Sequence, residues 1–141
     1  MTKRSATAVW NGTLKEGKGE FSVESNLIKS AYTFASRFET QPGTNPEELV
    51  GAAHAACYSM FLSALLSGEG LNPESISTTA IVTLDKDDIG PKITQIELSC
   101  NAKVAGISAA DFDELAKTAK AKCPISRLYA GTDIVLKATL A

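Results

Sequence analysis

The chain has 141 residues, 44% of them hydrophobic and 21% charged, and its formal net charge at pH 7 is −2. This composition predicts one globular domain, residues 1–141, with enough apolar surface for a real core. The basic residues are scattered along the chain, which argues against a nucleic-acid partner. The amino-terminal segment lacks the apolar run of a secretory signal, so we expect a cytoplasmic protein whose three cysteines are kept reduced.

The first 40 residues or so predict short strands with turns. The segment SATAVW ends at Asn11-Gly12, a dipeptide typical of β-hairpins. The segments GEFSVES and YTFASRFE follow as further strand candidates. We therefore expect a small sheet in this part of the chain.

The segment TNPEELV has the features of a helix start. Asn45 can cap the helix, Pro46 suits its first position, and Glu47 and Glu48 complement the positive end of the helix dipole. The helix should run to about Ser67 and end at the glycines that follow. Its apolar part is near the lower length limit for a membrane span. Because that part is rich in Ala and contains a His and several hydroxyls, we expect a central helix packed on both sides and no membrane partner.

The second half of the chain predicts two strands, a helix and a last strand. ISTTAIVTLD and ITQIELSCNAKV alternate apolar and polar residues, as half-buried strands do, and DKDDIGPK lies between them as a turn. Ser108 with Asp111 opens the second helix, which Cys123-Pro124 interrupts, and TDIVLKATL alternates again. This order of elements predicts the α+β class rather than a βαβ repeat.

The three cysteines have different surroundings in this pattern. Cys100 lies on the apolar face of a strand, where a free Cys packs as a small hydrophobe. Cys57 is either a small residue that permits close helix packing or a nucleophile, with His54 on the same helix face as a possible base. Cys123 lies either at the start of a short helix, where the dipole lowers a thiol pKa, or on the inward face of the second helix. A zinc site built from Cys57, His54 and Cys123 is disfavoured, because the closely spaced ligand pairs usual in zinc sites are missing.

Two motifs carry a resemblance to a known family. GTNPEELVGAAHAACYSM, with a second Cys in KAKCPISRL, closely resembles the OsmC/Ohr family, and the OsmC branch in particular. The similarity also includes GKGEFSVES, SRFE and LDKDDIGPKIT, so it covers essentially the whole chain.

The resemblance implies a thiol-dependent hydroperoxide reductase that prefers organic hydroperoxides to hydrogen peroxide. It implies that Cys57 is the peroxidatic thiol, Cys123 the resolving thiol, Glu47 a catalytic carboxylate and Arg37 its arginine. The fold it implies has antiparallel sheets packed around a long central helix in an intertwined homodimer. Lipoyl groups or other dithiols would regenerate the enzyme, and no metal, haem or flavin is expected.

A helix places Glu47 and Cys57 about 15 Å apart along its axis and about 80° apart around it. The carboxylate therefore cannot act directly on that thiol in one straight helix. Arg37 could bridge the gap, the helix start could bend, or the groups could meet across a dimer interface, which we favour. Two other functions stay open: an acyl hydrolase that uses Cys57 with His54, and a non-enzymatic sensing dimer with structural thiols. His54 itself fits a packed or hydrogen-bonded residue better than a catalytic one.

Overall fold

The structure is a computed structural model that describes residues 1–141. It confirms the predicted α+β class, with six strands and four helices in the order β1 (Ala6–Asn11), β2 (Lys18–Val23), β3 (Lys29–Tyr32), α1 (Phe34–Phe38), α2 (Pro46–Gly68), β4 (Pro73–Lys86), β5 (Pro91–Val104), α3 (Ala109–Lys122), α4 (Pro124–Leu128) and β6 (Asp133–Leu140). The chain divides into two compact units, Met1–Glu48 and Leu49–Ala141. Whether the two units act as the single domain that we expected stays a prediction.

The first unit contains an antiparallel sheet in the order β1-β2-β3. The predicted hairpin is present, but its connection runs from Gly12 to Gly17 and is longer than a two-residue turn. Gly12 has a φ of +94°, which suits glycine. Gly19 lies against the side chains of Trp10 and Tyr32, where an added Cβ would come within 2.7 Å of both rings. The glycine thus lets the two aromatic rings pack over the strand.

The prediction that YTFASRFE forms a strand was wrong beyond its first residue. Strand β3 ends at Tyr32, and α1 follows at once. Thr33 and Ser36 form a capping box, in which each side chain accepts a hydrogen bond from the other residue's backbone N–H. The Ser36 hydroxyl also lies within hydrogen-bonding distance of the carbonyl oxygen of Thr44, at 2.8 Å. These local bonds outweigh the strand preference of the aromatic residues, so Arg37 lies on a short helix.

The second unit contains a mixed sheet in the order β4-β5-β6. Strands β4 and β5 form a long antiparallel hairpin, and the predicted alternation of their inward faces is confirmed. Strand β6 is parallel to β5, because α3 and α4 carry the chain across before it returns. The sheet is therefore mixed rather than wholly antiparallel as we expected. Its buried core is shared by three elements, namely α2 (Tyr58, Leu62, Leu66), β5 (Ile96, Leu98, Ala102) and α3 (Phe112, Ala116, Ala119).

Helix α2 ends at Gly68, close to the predicted position, and Gly70 follows with a φ of +75°. Gly51 allows this helix to lie close to β4, because a Cβ there would be 3.3 Å from a methyl group of Val82. Within the second unit only one side of the helix is covered. The other side is exposed and made of apolar residues one turn apart, namely Ala52, Ala53, Ala56, Met60 and Ala64. The second unit by itself therefore packs the helix on one side, and the expected packing on both sides stays a prediction for the assembly.

Helix α2 is long and apolar enough to cross a membrane by length and composition. The core helices of many soluble proteins pass the same test, so this composition is weak evidence of a span.

Candidate active site

Two of the three cysteines come together in the second unit. The sulfur atoms of Cys57 on α2 and Cys123 before α4 lie 2.8 Å apart, and both thiols are free. A disulfide requires about 2.0 Å, so the sulfurs would have to approach by less than about 1 Å to form one. Cys57 is partly exposed, whereas Cys123 has 0% exposure. An oxidant from solution can therefore reach the first sulfur but not the second.

The junction of α3 and α4 turns Cys123 inward. Its backbone N–H donates to the carbonyl of Ala119 at 2.9 Å and completes the end of α3. Its own carbonyl accepts from the N–H of Arg127 at 3.0 Å and begins α4, with Pro124 in the first helical position. Cys123 thus occupies the N-cap position of the short helix, which was our first alternative. It is also buried, as the second alternative, an inward-facing position on α3, required.

The surroundings of Cys57 do not favour a thiolate by themselves. Burial raises the pKa of the Cys57 thiol, and the neighbouring Cys123 raises it further. The backbone N–H of Ile125, in the first turn of α4, acts in the opposite direction and lowers it. No basic side chain contributes to the shift. A nucleophilic role for Cys57 would thus require a cation from another part of the protein or assembly.

The first unit contains an arginine–carboxylate pair. Nε of Arg37 lies 3.2 Å from each carboxylate oxygen of Glu47, and Nη2 lies 2.8 Å from Oε1. The carboxylate is nearly buried in the first turn of α2, while about a third of the arginine side chain is exposed. The guanidinium carbon also lies 5.1 Å from the centre of the Phe38 ring. This two-pronged contact fixes the plane of the guanidinium and leaves Nη1 free to bind another group.

An apolar cavity lies beside this arginine in the same unit. It has a volume of about 400 Å³, and its lining is largely aromatic: Trp10, Gly12, Leu14, Tyr32, Thr33, Phe34, Arg37 and Phe38. A single permanent charge at the edge of an aromatic cavity suits a ligand with one polar end and one apolar end.

The only histidine of the chain makes no hydrogen bond to Cys57. His54 is fully buried, and its Nε2 lies 2.8 Å from the hydroxyl of Ser126 on α4. Its ring packs edge-on against Tyr129, with the ring centroids 5.5 Å apart, and its Nδ1 has no hydrogen-bond partner. Burial lowers the pKa of the imidazole, which favours its neutral form. The interpretation of His54 as a hydrogen-bonded, packed residue fits this geometry.

Sequence reasoning missed Ser126, Tyr129 and the backbone N–H of Ile125. The spacing held one signal for Ser126, since it lies three residues after Cys123 just as His54 lies three residues before Cys57. The geometry of the other two depends on α4, which the sequence indicated only as one more turn.

Cys100 behaves as a core residue, as predicted. It is 3% exposed on β5, and burial raises the pKa of its thiol. No group of three or more His, Cys, Asp or Glu side chains is arranged to hold a metal ion.

Comparison with known proteins gives a consistent family assignment. A family model described as OsmC-like protein matches residues 39–137. The chain is 50% identical to Peroxiredoxin OsmC of Escherichia coli (strain K12) over 126 residues, which is 89% of this chain and 88% of that protein. It is 32% identical to the organic hydroperoxide resistance protein OhrA of Bacillus subtilis (strain 168) over 98 residues, 69% of this chain and 68% of that protein.

Solved structures agree in fold. An OsmC-like protein of unknown function from Vibrio cholerae superposes with a TM-score of 0.79 at 18% identity, covering 99% of this chain and 100% of that one. The organic hydroperoxide resistance protein OhrB of Bacillus subtilis gives a TM-score of 0.71 at 22% identity, covering 96% and 98%. At these identities the likeness is evidence of the fold alone.

Proposed function

The chain belongs to the OsmC-like family, and on that premise we propose that it is a thiol-dependent peroxidase that reduces organic hydroperoxides to alcohols. The observation that carries the proposal is the pair of free thiols 2.8 Å apart, one reachable from solvent and one buried. The names of the relatives, a peroxiredoxin and proteins of organic hydroperoxide resistance, support the same chemistry.

In the first step the thiolate of Cys57 attacks the outer oxygen of the hydroperoxide. The O–O bond breaks, a proton is taken up, and the products are an alcohol and the sulfenic acid of Cys57. The partial exposure of Cys57 supports this assignment, because the attacking sulfur has to meet a substrate that arrives from outside.

In the second step the thiol of Cys123 condenses with that sulfenic acid. A disulfide forms between Cys57 and Cys123, and one water molecule leaves. The buried position of Cys123 supports the resolving role, since its sulfur is shielded from peroxide yet adjacent to its target.

We assign the cation that the first step needs to Arg37. Its charge persists at every physiological pH, so it can stabilise a thiolate and polarise the O–O bond, while Glu47 holds the guanidinium in one orientation. The proposal includes a site assembled from two subunits of a homodimer. The uncovered apolar face of α2 supports self-association, because a face of this kind is normally buried against a partner.

The preference for organic over hydrogen peroxide is part of the proposal. The aromatic cavity beside Arg37 supports it, since an alkyl or aryl group gains free energy from leaving water and hydrogen peroxide has no such group. We further propose that lipoyl groups or similar dithiols reduce the disulfide. Because such recycling requires a reducing compartment, we place the activity in the cytoplasm.

The two other functions have less support. An acyl hydrolase would need His54 as the base for Cys57, but His54 is bonded to Ser126 and fully buried. A sensing dimer with inert structural thiols would leave the partial exposure of Cys57 and its contact with Cys123 without a purpose.

Three cysteine variants test the proposal in a steady-state assay with cumene hydroperoxide and dihydrolipoamide. Cys57→Ser should abolish hydroperoxide consumption, because no other sulfur can react first. Cys123→Ser should consume no more than about two equivalents and then stop, because the unresolved sulfenic acid can only be oxidised further to the sulfinic acid. Cys100→Ala is the matched control and should keep most of the wild-type rate. Ester hydrolysis by the wild type, unaffected by Cys123→Ser, would instead favour the acyl hydrolase.

A further inference from the structure

Two contacts join α2 to the α4 region in register. The first is the contact between the sulfurs of Cys57 and Cys123. The second is the hydrogen bond between His54, three residues before Cys57, and Ser126, three residues after Cys123. The second contact is buried throughout, since His54 is 0% and Ser126 5% exposed. Burial of an imidazole costs desolvation free energy, and here a single hydrogen bond offsets it. Loss of that bond should therefore be destabilising.

The contacts between these elements differ in how they respond to oxidation. The Cys57–Cys123 contact and the Ile125 N–H both depend on the sulfur of Cys57, which gains an oxygen when the sulfenic acid forms. The hydrogen bond to Ser126 and the edge-on packing of Tyr129 both involve His54 and leave that sulfur untouched. Of these four contacts, the two that His54 makes therefore do not depend on the oxidised sulfur.

We propose that the buried His54–Ser126 hydrogen bond is a positioning contact, which holds α4 against α2 so that the Cys123 sulfur stays within bonding reach of Cys57 while Cys57 is oxidised. The step it serves is Cys57–SOH plus Cys123–SH giving the disulfide and water. It competes with attack by a second hydroperoxide, which gives the sulfinic acid of Cys57 and an alcohol. The inference rests on the proposed function for its biological purpose.

The same pair does not form a second catalytic site. A serine nucleophile with a histidine base needs a substrate-accessible hydroxyl, and Ser126 is enclosed. Ser126 therefore acts through the position of Cys123, which lies three residues earlier in the chain.

The first experiment needs no hydroperoxide. Equilibration with glutathione disulfide converts the two thiols into the Cys57–Cys123 bond and releases two molecules of glutathione, and the equilibrium constant reports how well the sulfurs are held together. Loss of one buried hydrogen bond should lower this constant by about fivefold in Ser126→Ala. His54→Phe should have a similar effect, and the double variant should cost no more than either single change, because both remove the same bond.

Tyr58→Phe is the matched control. It removes another buried hydrogen bond of α2, from the Tyr58 hydroxyl to the carbonyl of Ala116 on α3, and should leave the constant within about twofold of wild type. An unchanged constant in Ser126→Ala, or an equal loss in Tyr58→Phe, would overturn the inference. Additive losses in the double variant would do so as well.

The second experiment measures the competition directly. After a small excess of cumene hydroperoxide, mass spectrometry counts the share of Cys57 present as sulfinic acid. That share should rise about fivefold in Ser126→Ala and stay at the wild-type level in Tyr58→Phe, whatever their melting temperatures. A wild-type protein that forms the Cys57–Cys123 disulfide with glutathione disulfide but consumes no hydroperoxide would refute the proposed function and not the positioning role.

Discussion

His54 combines two properties that rarely occur together, full burial and an unpartnered ring nitrogen. A charged imidazole in this position would lose its hydration with only the Ser126 hydroxyl in compensation. The neutral form is therefore the one that the fold accommodates. This requirement links the stability of the protein to pH.

Stability should decrease as the pH falls below about 6.5. Burial lowers the pKa of His54 in the folded chain, so below the unfolded value of 6.5 the unfolded chain binds a proton that the folded chain does not. The free energy of unfolding should therefore fall with decreasing pH, by at most about 1.4 kcal/mol per pH unit from this group. Urea unfolding at pH 7, 6 and 5 measures it.

The matched comparison is His54→Phe, which has no group to titrate in this range. The free energy of unfolding of the wild type minus that of the variant should decrease as the pH falls from 7 to 5. The carboxylates titrate alike in both proteins, so their contribution cancels. A difference that stays constant over this range would mean that His54 binds a proton as readily in the folded chain as in the unfolded chain, and would contradict the prediction.

At this scale the sequence singled out candidate residues without their arrangement. The roles of Cys57, Cys123, Arg37 and Glu47 came from a family resemblance and stay predictions. Ser126 was missed, because its spacing from Cys123 has meaning only once the contact between Cys123 and Cys57 is known.

Helix α2 has two faces with different requirements. One face contributes three of the largest buried side chains of the core, whereas the other exposes small apolar residues and Met60, which is 76% exposed. Capping by Asn45, whose side chain accepts from the N–H of Glu48 at 2.9 Å, explains why the helix start was predicted correctly. The exposed face was not predicted, because periodicity identifies apolar positions without saying which molecule covers them.

Met60→Glu tests whether a second copy of the chain covers that face. A carboxylate placed in an apolar interface without a partner should weaken self-association by at least about tenfold. Ile89→Glu, at an even more exposed apolar residue in the β4–β5 turn, is the control and should have no effect. Sedimentation equilibrium gives both values; a monomeric wild type, or a Met60→Glu variant that dimerises normally, would argue against the proposed dimer.

Helix α1 is the element that sequence reasoning missed. The segment contains three aromatic residues, Tyr32, Phe34 and Phe38, a composition that favours a strand. The competing signal was the capping box of Thr33 and Ser36, which is short and is reinforced by the contact of Ser36 with the carbonyl of Thr44. That contact joins parts of the chain that no local pattern connects.

In the molecule as a whole, the two pairs of reactive groups are each complete within one unit of the chain. The arginine–carboxylate pair belongs to the first unit and the thiol pair to the second. Apart from α1, the order of elements followed from the sequence, as did the fold class, because helix caps and strand alternation are local. The parallel placement of β6 did not follow, because it depends on the crossover through α3 and α4.

The central claim is that Cys57 and Cys123 form a redox pair, and peptide mass mapping under non-reducing conditions tests it most directly. After one equivalent of cumene hydroperoxide, the account predicts a single intramolecular bond between the peptides of Cys57 and Cys123, with Cys100 still free. Three free thiols and an unconsumed hydroperoxide, or a bond that involves Cys100, would contradict it.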